Sequence, residues 1–108
     1  MNKIEKILIK AIEDRKAEDI MYYDVRGVNP LCDSIIVCTA LNERNIFGIQ
    51  DSVEEAASKN NIKINHIEGR KDSKWVIVDL NDIVVHILTK EERERLNLDE
   101  IIKTKDKK

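Results

Sequence analysis

Four aspartates, Asp24, Asp33, Asp79 and Asp82, fall at the ends of β-rich segments. Carboxylates gathered there can hold magnesium, which takes oxygen ligands in octahedral geometry. Such a site, built from Asp24, Asp33 or Asp79, would give the chain a metal-dependent, nucleotidyltransferase-like activity. The competing reading is plainer, since aspartates at strand ends commonly cap turns through bonds to the backbone two residues on. Cys32 and Cys38 are too few for a disulfide framework and match no zinc spacing, so they read as buried reduced thiols. Cys38 lies in the apolar run Ser34–Ala40, which raises a thiol pKa and argues against a nucleophile there. The chain has no phosphate loop, no Gly-x-Gly-x-x-Gly and no Gly-x-Ser-x-Gly, and only 3 glycines to build any phosphate cradle. No cofactor and no metal are expected.

The more informative residues are Trp75, Ile77, Asp79, Val84, His86 and Leu88. Trp75–Leu80 and Ile83–Leu88 are strong strand signals separated only by Asn81-Asp82, the spacing of a tight hairpin. A two-residue turn pairs Leu80 with Ile83, Asp79 with Val84, Val78 with Val85, Ile77 with His86, Val76 with Ile87 and Trp75 with Leu88. Paired residues share a face. One face is then wholly aliphatic and belongs to the core. The other carries the six residues named first, too polar for a dry core and too apolar for an idle surface. A mixed patch centred on tryptophan has the composition of a protein-binding hot spot. The alternative is that the protein's own terminal helix, or a second copy, covers this face. His86, diagonal to Asp79, can take an Asp-His contact that fixes its tautomer.

The elements that must position this hairpin follow from periodicity. Ile4, Ile7, Leu8, Ala11 and Ile12 recur at helical spacing and predict a helix over residues 3–14. Ile20–Val25 has strand composition, and Arg26-Gly27-Val28-Asn29-Pro30 stops it. Ser34–Ala40 is a continuous β-rich run, the pattern of a central strand covered on both faces. Asn42 is the expected cap of a helix from Glu43 to about Lys59, with Ile46, Ile49, Val53, Ala56 and Ala57 on one side. Lys63–Glu68 suits a sheet margin, and Gly69–Ser73 reads as a polar loop. Thr89-Lys90-Glu91-Glu92 is a capping box for a short helix, and Asn97-Leu98-Asp99-Glu100 opens one more turn. Helix, two strands, helix and three strands predict a single α/β domain with a mixed sheet of about five strands, one face covered by helices.

At 108 residues the chain is one domain's worth, and 42% hydrophobic against 37% charged residues suffices to close a core. The net charge is −2, yet Lys103–Lys108 holds four lysines and one aspartate, leaving −5 on residues 1–102. Residues 1–102 are expected to form the domain and 103–108 a flexible basic tail. An acidic body is the wrong sign for gripping phosphate backbone over a wide face and suits a basic partner. The tail reads as solubilising, with contact to RNA the competing reading. No stretch approaches a membrane span, and the start of the chain lacks a signal-peptide core, so the expected place is the cytoplasm.

Lys16-Ala17-Glu18-Asp19-Ile20, Asp24-Val25-Arg26-Gly27, Asp33, Glu68-Gly69, Trp75 and the hairpin Val78-Asp79-Leu80-Asn81-Asp82-Ile83-Val84-Val85-His86 appear in this order. The series closely resembles the ribosomal silencing factor family, also called Iojap-like, over about residues 4 to 100. The resemblance implies a mixed α/β fold related to nucleotidyltransferases but without their catalytic motif, and a protein that is not an enzyme. It further implies binding to the large ribosomal subunit through its protein number fourteen, which blocks joining of the small subunit and damps translation when nutrients run short. A homodimer is sometimes seen in the family. Carried over, Trp75 is the anchor, Ile77 and Leu88 its apolar surround, Asp79 and Asp82 partners for arginine or lysine, and His86 an orienting or contacting group. The chain departs from the family at three places. Asn42 caps the central helix where a Gly-x-Ser turn is usual, Asn81 replaces a glycine at the hairpin tip, and Leu96–Ile102 lacks the usual C-terminal tyrosine and tryptophan.

Overall fold

The computed structural model describes residues 1–69 and 73–106. Helix α1, Lys3–Glu13, begins at a reciprocal cap: the Asn2 side chain accepts from the Glu5 backbone, and Glu5 accepts from the Asn2 backbone. Strand β1, Glu18–Asp24, opens with Asp19 at φ +46°, where its register against the next strand shifts. Strand β2, Ser34–Ala40, is buried at every position. Helix α2, Glu43–Lys59, starts at Asn42, whose side chain accepts from the Asn45 backbone, as the sequence predicts. Strands β3, His66–Glu68, β4, Trp75–Asp79, and β5, Ile83–Thr89, complete the sheet. Helix α3, Lys90–Leu96, is capped by Thr89, and a left-handed Asn97 turns the chain into α4, Leu98–Asp106.

The strand order is β1-β2-β5-β4-β3, with β2 and β5 parallel and the other neighbours antiparallel. The expected five-stranded mixed sheet is therefore present, although β5 rather than β2 takes its middle. The hairpin register is the one a two-residue turn demands, from Trp75 opposite Leu88 to Asp79 opposite Val84. Asn81 supplies the left-handed tip at φ +70°, a conformation asparagine tolerates better than most residues.

Two cores flank the sheet. On one face Ile36, Cys38, Val76, Val78, Val85 and Ile87 pack with Leu8 and Ile12 of α1 and Ile46, Ile49 and Val53 of α2. On the other, Tyr23, Ile35, Val37 and Leu88 pack with Leu98 and Ile102 of α4. The expectation that helices cover only one face is thus corrected. Leu98 and Ile102 are one helical turn apart, so α4 lays both onto the sheet, and each buried side chain contributes roughly 1.5–3 kcal/mol. The boundary expected after residue 102 falls inside α4, which continues to Asp106. Residues 107 and 108 of the expected tail, and 70–72 of the expected loop, lie outside the described residues.

Candidate functional site

Cross-strand pairing places Trp75, Ile77, Asp79, Val84, His86 and Leu88 on one sheet face. Trp75, Ile77, Asp79, Val84 and His86 are half-buried, and Asp82 is exposed at the turn. Leu88 has no exposed surface and belongs to the core beneath α4, so it is corrected from a contact residue to a supporting one. Among the described residues α4 packs over Tyr23, Ile35, Val37 and Leu88, while Ile77, Asp79 and Val84 keep part of their surface exposed.

The Trp75 indole N–H donates to His86 Nδ1 at 3.1 Å, and the two rings stack with centroids 5.9 Å apart. Burial draws the His86 pKa down to about 4, against a smaller opposing pull from Asp99, so the ring is neutral near pH 7. The expected Asp79–His86 contact is not what forms. Asp79 instead accepts from the Asn81 backbone at 2.8 Å and lies 3.5 Å from His66 Nδ1 on the edge strand. His66 Nε2 in turn lies 3.3 Å from Glu68.

Acidic groups surround one end of this face. Asp33 donates its backbone N–H to the Asp82 carbonyl at 2.7 Å, which joins the β1–β2 loop to the hairpin turn. Burial raises the Cys32 thiol pKa, and Asp33, Asp79 and Asp82 raise it further, so the three carboxylates share one neighbourhood. Leu31, two residues from Asp33, is 85% exposed. A lone leucine in a polar loop carries no periodic signal, and sequence reasoning passed over it.

The magnesium candidates are not assembled. Asp24 is held by Arg26 at 3.2 Å and accepts its backbone N–H. Among the described residues no group of three or more His, Cys, Asp or Glu side chains is placed to hold a metal ion. Cys38 is enclosed, and burial pushes its pKa up to about 12, far from a nucleophile's range.

Two polar networks went unread in the sequence. Glu5 has no exposed surface, yet it accepts from Tyr22 Oη and from the Arg26 guanidinium, each at 3.0 Å. Burial pushes its pKa up. The Ser34 hydroxyl, lying near without reaching hydrogen-bond geometry, the Asn2 backbone, Tyr22 and Arg26 together bring it below the ordinary value. In the second network Arg93 of α3 forks onto Asp99 of α4 at 2.8 and 2.9 Å and donates to Thr39 of β2 and the Asp19 carbonyl of β1. Tyr23 also donates to Asp99. Arg93 lowers the Asp99 pKa, and the five groups pin the C-terminal helices to the sheet. A concavity of about 410 Å³ beside Arg93 is lined by both signs of charge and by none of the expected site residues.

Fold and geometry together define a one-domain α/β protein whose five-stranded mixed sheet presents a half-open, tryptophan-centred face. The same fold is seen in the crystal structure of a Chromobacterium violaceum protein, with a TM-score of 0.88, 29% identity and coverage of 94% of this chain and 86% of that one. The family described as ribosomal silencing factor during starvation matches residues 1–108, and the chain belongs to it. The ribosomal silencing factor RsfS of Bacillus subtilis is 34% identical over 98 residues, spanning 91% of this chain and 83% of that protein. The chloroplastic protein Iojap of Zea mays is 30% identical over 93 residues, 86% of this chain and 40% of that protein. Among the described residues no helix is long and apolar enough to cross a membrane.

Proposed function

We propose that this protein docks on the large ribosomal subunit, mainly on its protein number fourteen, and by occupying that surface keeps the small subunit from joining. Translation is thereby repressed when nutrients are limiting, and the work is done in the cytoplasm without catalysis. The observation that carries the reading is Trp75. It is a large ring left half-buried on a formed sheet face and backed by a closed core, while Asp33, Asp79 and Asp82 gather at the hairpin-turn end of the sheet. Such an anchor in an acidic rim suits a basic protein surface. Ile77 and Val84 extend the apolar centre, Asp79 and Asp82 meet arginine or lysine, and Leu88 supports the indole from below.

Sedimentation of purified large and small subunits tests this. Wild type should travel with the large subunit and suppress formation of the joined ribosome. Trp75→Ala should lose both effects, by about tenfold or more in affinity, while its melting temperature stays close to wild type. A Trp75→Ala variant that binds normally would place docking elsewhere.

A further inference from the structure

An indole N–H can donate but never accept, so His86 Nδ1, 3.1 Å away, must be the accepting nitrogen. The single proton of the neutral ring then sits on Nε2, at the outer tip. No hydrogen bond from Nε2 is formed among the described residues. It is not an enclosed orphan either, because the enclosed side-chain polar atom without a partner among those residues is Ser34 Oγ. The ring's cross-strand neighbours, Ile77 on β4 and Val37 on β2, carry no charge. From the C-terminal helices, Asp99 is held by Arg93 and Tyr23, and on β4 Asp79 is engaged by Asn81 and His66.

The indole N–H is spent inside the protein, so Trp75 offers a partner only its apolar ring. An occupant that seals this ring from water also strips water from Nε2–H on the stacked imidazole. A buried donor without an acceptor is costly, so the occupant must bring an acceptor of its own. A carboxylate is the wrong acceptor here, since Asp79 lies diagonally across the same face and Asp99 acts on the ring from α4, and like charges repel. Resting on the docking reading above, we propose that His86 determines specificity: its Nε2–H takes an uncharged carbonyl oxygen of the partner protein, from main chain or an Asn or Gln side chain, seated against Trp75. The docking surface is thus a two-point device, ring and donor, that rejects apolar or acidic chains at the same spot.

Two substitutions separate the nitrogens. His86→Asn sets a carbonyl oxygen near the Nδ1 position and keeps the indole's acceptor, but it ends short of Nε2. His86→Gln reaches the Nε2 position with an N–H. Measured against purified large subunits, His86→Asn should weaken binding by about tenfold with Trp75 fluorescence unchanged, and His86→Gln should regain part of the loss. If His86→Asn binds as wild type does while Trp75→Ala does not, the inference is wrong and the docking face stands. If wild type fails to bind, or Trp75→Ala binds equally well, the docking reading falls and takes the inference with it. Should His86→Asn fail to fold, deuterium exchange at the His86 ring carbon between the nitrogens decides in the wild-type protein. Slowing on addition of large subunits supports the contact, and an unchanged rate overturns it.

Discussion

The pairing of His86 with Trp75 is a choice between two equivalent neighbours. His86 lies opposite Ile77, so Trp75 and Asp79 are both its diagonals on the same face. The indole is long enough to reach across, while Asp79 is drawn to the Asn81 backbone and to the edge strand. The register was legible in the sequence and this choice was not, because His66 lies in a segment with no fixed partner until β3 joins the sheet. The pair also carries a pH signature. An unfolded chain takes up a proton at the ordinary histidine pKa of 6.5, whereas the folded chain resists until about pH 4. Protons are thus bound preferentially by the unfolded state in that window, and stability should fall as pH drops from 6.5 to 4. The loss should be on the order of 2–3 kcal/mol by pH 4, and flat above pH 7. Urea denaturation at stepped pH checks it, with His86→Gln expected to lack the slope. Glu5 and Asp99 act in a lower window that meets only the foot of the His86 one. Their folded pKa values are depressed, so their stabilisation is present above pH 4.5 and 3.8 respectively and fades only as pH falls below those values.

Elements with a strong local signal were read from the sequence, and those held by distant contacts were not. The hairpin follows from a two-residue turn between alternating segments, and α1 and α2 follow from their caps and apolar stripes. Among the described side chains of α4, Leu98 and Ile102 are the buried ones in a charged stretch, which looks like a fraying tail until β1, β2 and β5 provide a surface. What holds it there is Arg93, whose bonds to Asp19, Thr39 and Asp99 span residues far apart in the chain. No spacing rule reveals such a fork. Leu98→Ala should therefore cost about 2 kcal/mol, at the low end for a buried leucine because the site lies near solvent and can partly collapse. Chemical denaturation measures the loss. The same variant should raise amide exchange in α4 ahead of the rest of the fold, since this element has few anchors. Leu98, Ile102 and the Arg93 fork are what hold this C-terminal segment to the sheet.

At the scale of the whole molecule, the division of charge sets how a partner approaches. The first 102 residues carry −5 and the last six +3. The acidic excess includes Asp33, Asp79 and Asp82 beside the open half of the sheet. Attraction of this kind is long-ranged and screened by salt, so it acts mainly on the rate of encounter. Binding to large subunits should weaken several-fold between roughly 0.05 and 0.3 M salt, with most of the change in association rate. Asp33→Asn with Asp82→Asn should flatten that dependence, as surface plasmon resonance at several salt concentrations would show. The direction of charge was legible from composition, but its placement was not, because Asp33 is brought to the hairpin by a bond to the Asp82 carbonyl, far away in the chain. The order of strands has a further bearing on how the protein is made. β2 is buried along its whole length and apolar but for Ser34 and Thr39, and its partner β5 is synthesised only after α2, β3 and β4 have emerged. Throughout that interval the nascent chain carries a sticky, half-paired strand, shielded on one side by β1 and on one face by the two helices that follow and precede it. The sheet is therefore completed only once β5 has emerged, and a ribosome that stalls before Ile83 holds a chain primed to aggregate.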